Sequence, residues 1–225
     1  AGVHSGDATI ILPAQNLYIE TIKRVKKITR AITKNLNISG PFNIQFLSKD
    51  NNIKVIECNL RASRSFPFVS KTYNMNLIDI ATKVMLNLDF EAQHVHLYDM
   101  EYACVKAPMF SFTRLPNADP VLGVEMASTG EVACFGNDIH DAFLKSMVAT
   151  GFKIPKSNVL VSIGSDSNRL YLLETMKLLE TMEFNIFATP TTSTFLDSHG
   201  IKNKKLSYGE DDENNVFQAI SNNDI

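Results

Sequence analysis

No apolar run in this 225-residue chain approaches the ~20 residues needed to cross a bilayer as a helix. Nothing at its start reads as a secretory leader, so no membrane partner is expected. Cysteine is scarce: Cys58, Cys104 and Cys134 lie far apart and form no CxxC pair. That spacing fits reduced, packed thiols in the cytosol or another reducing compartment. An excess of either charge is missing too. The 22 Lys and Arg stand against 24 Asp and Glu, for a net charge of −2. A general grip on nucleic acid by charge alone is therefore not expected. An initiator Met is also missing, and the chain opens inside a loop, so it reads as a piece of a longer polypeptide.

What is present suits a globular protein of one large or two small domains: 44% hydrophobic and 20% charged residues. Two strand-like runs, Asn43-Ile-Gln45-Phe46 and Val55-Ile-Glu57-Cys-Asn59, flank the polar stretch Ser48–Asn52, which has turn chemistry. A hairpin centred near Asn51 sets Gln45 opposite Glu57 and Asn43 opposite Asn59. Opposed residues share a face. One face then carries Asn43, Gln45, Glu57 and Asn59; the other carries Ile44, Phe46, Ile56 and Cys58, expected to enter a core. A carboxylate beside amide oxygens makes a hard ligand set suited to Mg2+. Arg61 and Arg64 follow at once, and their forks suit phosphate and carboxylate oxygens. The bland alternative stays open, because antiparallel hairpins commonly wet one face and surface arginines are common.

Elsewhere, Thr9–Leu12 reads as a strand ended by Pro13. Ile19, Ile22, Val25, Ile28, Ile32 and Leu36 recur at helical spacing, with a basic stripe opposite that reads as a solvated face. Residues 76–88 and 138–150 read as helices, 102–105 and 131–135 as strands, and 89–100 as a connector. From Ser157 the order changes to strand (158–163), helix (170–182), strand (185–188), helix, the mark of a parallel βαβ unit. The loops Ser162–Asn168 and Thr189–Thr194 lie beyond the carboxyl ends of these strands, where ligands bind in such sheets. Their hydroxyls either help hold a phosphate or merely cap helices. Glu210–Glu213 reads as a solvated acidic loop.

Glu57-Cys-Asn59-Leu-Arg61-Ala-Ser-Arg64-Ser-Phe-Pro-Phe-Val-Ser-Lys71 resembles the second ATP-grasp half of the carbamoyl-phosphate synthetase large chain. So do Ala1–Asp7, Gly40–Phe46, Lys106–Ser111 and Ala127–Val132, in the same order, and the resemblance covers essentially the whole chain. After about Gly151 it is similar to the start of that enzyme's methylglyoxal-synthase-like effector domain, in wording closest to the eukaryotic multifunctional pyrimidine-pathway type. The implied fold is α/β and α+β. Residues 1–88 would be the C-terminal part of the second ATP-grasp domain, 89–150 a connecting region completing the synthetase unit, and 151–225 the truncated start of a parallel βαβ effector domain.

The resemblance implies MgATP-dependent phosphorylation of carbamate to carbamoyl phosphate. Gly2, Val3, His4 and Ser5 match the nucleotide loop, with Gln45 and Glu57 also at the ATP. Gln45, Glu57 and Asn59 match the set that holds two Mg2+ (or Mn2+) ions per ATP site. Arg61 and Arg64 match arginines beside the reacting phosphate and carbamate, in an electrostatic and positional role. Ser162, Thr189 and Thr192 match positions that contact the phosphate of an effector, expected to be a uridine nucleotide, although Asn168 and Pro190 depart from the bacterial-type pattern. Expected partners are the rest of the synthetase and a glutamine amidotransferase domain, in the cytoplasm or, for the ammonia-dependent urea-pathway form, the mitochondrial matrix. Without the first half of the ATP-grasp unit, the chain by itself is expected to be inactive. A non-catalytic nucleotide-binding regulatory module is the remaining alternative.

Overall fold

The computed structural model describes residues 3–91, 100–209, 212 and 214–225. The chain divides into two units, Ala1–Phe152 and Lys153–Ile225.

In the first unit, β1 (Ile10–Leu12), β4 (Ala103–Met109) and β5 (Gly130–Gly136) form an antiparallel sheet in the order β1-β4-β5. Strand β4 is the central one, and its residues Ala103 to Ala107 are all buried. Helix α4 (Ile139–Ala149) covers this sheet, and Ala103, Val105 and Ala142 form the core between them, flanked by Ile11 and Ile139. The helix starts where the sequence signals it. The Asp138 side chain accepts the Asp141 N–H at 2.9 Å, a typical N-cap bond. The helix ends at Gly151, whose φ of +100° suits glycine.

A separate antiparallel hairpin pairs β2 (Asn43–Lys49) with β3 (Asn52–Asn59). Its register near the base is Asn43↔Asn59, Ile44↔Cys58 and Gln45↔Glu57, as the sequence pattern predicts. The turn is tighter than predicted. Only Asp50 and Asn51 lie outside the strands, both with positive φ (50° and 61°), the geometry of a two-residue hairpin turn. A bulge between Gln45 and Phe46 then shifts the pairing, so that Phe46 meets Val55. One extra residue on a strand breaks the simple alternation. The expected apolar core face is not buried: Ile56 is 56% exposed, and Ile44, Phe46 and Cys58 are only half-buried.

Helix α1 (Ile19–Asn35) fits its predicted span, but only the middle of its apolar stripe is covered. Ile22, Val25, Ile28 and Ile32 are half-buried, whereas Ile19 and Leu36 are exposed. Thr21 is buried and donates to Asn51 Oδ1 at 2.5 Å, and Arg24 Nη1 donates to the Asn51 carbonyl at 3.0 Å. These bonds tie the hairpin tip to the helix. A short helix α2 (Phe66–Thr72), absent from the sequence reading, follows the arginines, and α3 (Leu77–Met85) follows with Asn76 capping Asp79 N. Of the expected connector 89–100, residues 92–99 lie outside the described residues.

The second unit is a parallel sheet, β6 (Asn158–Val161), β7 (Asn185–Ala188) and β8 (Lys204–Lys205), in that order. Its core joins Val161, Met176, Ile186, Ala188, Leu196 and Ile201. Each fully buried Leu or Ile there contributes about 1.5–3 kcal/mol. The predicted helix over 170–182 starts earlier and is interrupted, as α5 (Asp166–Tyr171) and α6 (Leu173–Thr181). Helix α7 (Pro190–Ser198) begins directly after Thr189, so most of the expected Thr189–Thr194 loop is helical. Pro at the first helical position explains this start, since its fixed φ is pre-set for the helix. Helix α8 (Val216–Ser221) closes the unit, and Glu210, Asp211 and Glu213 of the acidic stretch lie outside the described residues. Among the described residues no helix is long and apolar enough to cross a membrane.

Candidate active site

A cleft of about 800 Å³ in the first unit is lined by both faces of the hairpin, by Ile44, Phe46 and Ile56 as well as by the polar residues. Gln45, Glu57 and Asn59 line it from the hairpin, and Arg61 and Arg64 from the segment that follows β3. Val3, His4 and Ser5 line it from the N-terminal loop. Eight of the predicted site residues therefore share one cleft; Gly2 lies outside the described residues.

Glu57 is exposed, while Gln45 and Asn59 are half-buried. Asn59 Nδ2 donates to Glu57 Oε1 at 3.0 Å, which orients the carboxylate. Among the described residues there is no cluster of three or more His, Cys, Asp or Glu. The hairpin thus offers one carboxylate and three amide groups, all with hard oxygens. Such a set fits a Mg2+ ion that takes its remaining ligands from substrate phosphates and water, and does not fit a dedicated all-protein cage.

The N-terminal loop is clamped from several sides. His4 N donates to the Gly123 carbonyl at 3.0 Å, and His4 Nδ1 accepts the Gly6 N–H at 3.0 Å. A Cβ on Gly6 would stand 2.8 Å from Met126 Sδ and 3.0 Å from His4 Nδ1, so only hydrogen fits without movement. Buried Asp7 accepts the Ala127 N–H on Oδ2 and the Ser128 N–H on Oδ1, each at 2.9 Å. The Ala127 N–H and the Ser128 hydroxyl, with the Ser128 N–H, hold the Asp7 carboxyl below the usual range. Met126, in the same strap, lies with Sδ 2.6 Å from Arg64 Nη1. The strap over 123–128 therefore joins the loop to one of the candidate arginines.

Lys106 also lines the cleft from β4. In the sequence Lys106 stands out only as the first residue of the Lys106–Ser111 motif. Its burial was not legible, since a lysine in a strand ordinarily points to water.

In the second unit Ser162, Thr189 and Thr192 meet. Thr189 Oγ1 lies 3.2 Å from Ser162 Oγ and 3.3 Å from Thr192 Oγ1, and its single proton serves one of the two. Thr192 is fully buried and accepts the Ile163 N–H at 3.1 Å. Ser162 is exposed. Two further residues gather here. Arg169 binds the Ile163 carbonyl through Nε (3.0 Å), Asp166 through Nη1 (2.5 Å) and Thr191 through Nη2 (2.9 Å), linking the two hydroxyl-bearing segments. Hydrogen bonds from the Thr189 and Ser162 hydroxyls hold the Tyr208 phenol below its ordinary range. The i, i+3 spacing of Asp166 and Arg169 was a readable signal; Tyr208 arrives through tertiary structure and had none.

The first unit thus brings an N-terminal loop, a hairpin with one carboxylate among amides, and adjacent arginines to one cleft, and a parallel α/β unit follows along the chain. Residues 1–93 match the family described as carbamoyl-phosphate synthase L chain, ATP binding domain, and residues 171–225 match the MGS-like domain family. The chain is 52% identical over 229 residues to multifunctional protein pyrABCN of Emericella nidulans, covering 99% of this chain and 10% of the relative. It is 52% identical over 231 residues to multifunctional protein URA2 of Saccharomyces cerevisiae, covering 100% of this chain and 10% of that one. Human mitochondrial carbamoyl-phosphate synthase [ammonia] is 52% identical over 206 residues, covering 89% of this chain and 14% of the relative. The chain thus spans about 10% of the length of the first two relatives. Among solved structures, N5-carboxyaminoimidazole ribonucleotide synthetase from Thermotoga maritima superposes with a TM-score of 0.49 at 16% identity, over 63% of this chain and 44% of the other. The expected family and fold class are met.

Proposed function

We propose that this chain is part of a carbamoyl-phosphate synthase that phosphorylates carbamate with MgATP, in the pyrimidine pathway, and that its second unit is regulatory. Residues 89–150 complete the synthetase unit in this reading. The observation that carries it is that the paired residues Gln45 and Asn43, opposite Glu57 and Asn59, line the same cleft as the His4 loop and Arg61 and Arg64. In the reaction a carbamate oxygen attacks the γ-phosphorus, the bond to the ADP oxygen breaks, and no proton transfer is required of the protein. Val3, His4 and Ser5, with Gly2, contact the nucleotide. Arg61 and Arg64 position the reactants and offset the negative charge they bring together. Gln45, Glu57 and Asn59 would hold Mg2+ or Mn2+, two per ATP, whose charge would stabilise the transferred phosphoryl group.

The hydroxyl cluster of Ser162, Thr189 and Thr192 is read as the place where the phosphate of a uridine nucleotide acts on turnover. Other domains, including a glutamine amidotransferase, would supply nitrogen, and the cytoplasm is the expected compartment. A second reading, the ammonia-dependent mitochondrial enzyme, is favoured by the 52% identity to the human protein of that name. Supply of glutamine or ammonia alone to the purified full-length polypeptide separates the two.

The test is Glu57→Ala in the full-length polypeptide. Carbamate-dependent ATP turnover should be lost while bicarbonate-dependent ATPase remains measurable, and Asn59→Ala should do less because an amide carries no charge. Equal loss of both partial reactions in a folded variant would reject the assignment.

A further inference from the structure

Lys106 lies in the middle of β4, between Ile10 on β1 and Ala133 on β5, and only 3% of it is exposed. Its ammonium has two neighbours, the Gly6 carbonyl and Glu131 Oε2, each at 3.4 Å. Charged N–H···O bonds are usually about 2.7–2.9 Å long. Both contacts are therefore loose, and a group with three donors has no close acceptor among the described residues. A buried charge left so thinly partnered is costly. It also lines the cleft that carries Glu57, Arg61 and Arg64, so an anion entering there could complete its coordination. Glu131 is 26% exposed and keeps access to water, so it does not need Lys106 in the way Lys106 needs an acceptor.

We propose that Lys106 is a binding residue of the cleft, reserved for an anionic phosphate oxygen of the bound nucleotide. When that oxygen is present, the ammonium holds it and the Gly6 carbonyl together, tying ligand to loop. The inference rests on reading the cleft as a nucleotide site. It adds a third cation, contributed from the sheet, to the two arginines that follow the hairpin.

The experiment compares Lys106→Met, Glu131→Gln and the double variant in the full-length polypeptide, with MgATP as the probe and Glu57→Ala as the reference. Lys106→Met should raise KM for ATP in the carbamate-dependent reaction about tenfold or more, the loss of one charge-assisted hydrogen bond. Glu131→Gln should leave KM unchanged or lower it, because it removes a competing anion. The double variant should stay as impaired as Lys106→Met. A double variant within twofold of the parent would overturn the proposal, since Lys106 would then serve only to neutralise Glu131. If Lys106→Met does not fold, Glu131→Gln decides: a KM for ATP raised about tenfold would overturn the proposal, and an unchanged or lowered one supports it. Full activity of Glu57→Ala would instead remove the nucleotide reading itself, whatever the lysine variants do.

Discussion

Replacing Gly136 with Ala should destabilise the first unit more than any comparable glycine change. Gly136 is buried at the end of β5, paired with Ala103, and its φ is not in the left-handed region. The obstacle is steric. A Cβ there would stand 2.4 Å from Ala142 N and 2.9 Å from both Ala142 Cα and the Asp141 carbonyl carbon. These are backbone atoms of the first turns of α4 and cannot rotate away. To reach an ordinary 3.4 Å contact, α4 must shift by 3.4 − 2.4 = 1.0 Å from β5. That shift opens the Ala103–Val105–Ala142 core and strains the Asp138 cap. Overpacking of this kind costs about 1–3 kcal/mol, and loss of a cap about 0.5–2 kcal/mol. A combined loss of about 2–4 kcal/mol should lower Tm by roughly 4–16 °C, at ~2–4 °C per kcal/mol for a domain of this size. Two controls grade the argument. Gly151→Ala meets nothing within 4 Å but has φ +100°, so it should cost about 1–2 kcal/mol. Gly123→Ala meets nothing and has no positive φ, so it should stay within about 0.5 kcal/mol. Thermal and urea unfolding followed by circular dichroism give the order. A Gly136→Ala variant as stable as Gly123→Ala would refute the steric reasoning.

Beside the Glu57 and Lys106 tests, two predictions concern the loop clamp and the second unit. The Asp7 carboxyl is held low in the fold, so it contributes stability above its unfolded pKa of about 3.9 that is lost as pH falls through the lower folded value. Asp7→Asn should reduce stability at pH 7 and flatten its decline below about pH 4 in thermal melts. Asp141 and Asp212, also held low, keep some acid sensitivity in the variant, but a slope identical to the parent's would sink the assignment. Thr192→Ala leaves the Ile163 N–H without its acceptor, a cost of about 1–3 kcal/mol. In the full-length polypeptide it should weaken inhibition by UTP and leave uninhibited turnover nearly intact. Unchanged UTP inhibition, with sensitivity to N-acetylglutamate in its place, would favour the ammonia-dependent reading.

The hairpin was legible because its information is local. Polar residues alternate with apolar ones, and the Asp50–Asn51 turn tolerates positive φ. The bulge after Gln45 was not legible, because nothing in the composition of either strand marks the extra residue. Helix α2 escaped because seven residues are too few for an apolar periodicity to appear, although Pro67 in its first turn was a usable sign. Among the site residues, Gln45, Glu57, Asn59, Arg61 and Arg64 cluster within a short stretch and could be read together. The Lys106–Glu131 contact and the approach of Tyr208 to Ser162 join distant parts of the chain, where pattern has no reach.

The attachment of the hairpin tip to α1 has a mechanical consequence. Asn51 is gripped by Thr21 and Arg24, whereas Glu57 stands nearer the opposite end of the hairpin. Five residue steps of strand run from Asn52 to Glu57, about 17 Å at the usual rise. The hairpin is then a lever pivoting at its tip, and a tilt of about 5° there carries the carboxylate through roughly 1.5 Å over that length. Displacements of about 1 Å can cost a hundredfold in rate when reactants must be held in line. Helix α1, through Thr21 and Arg24 at the hairpin tip, would therefore set the aim of the carboxylate from about 17 Å away.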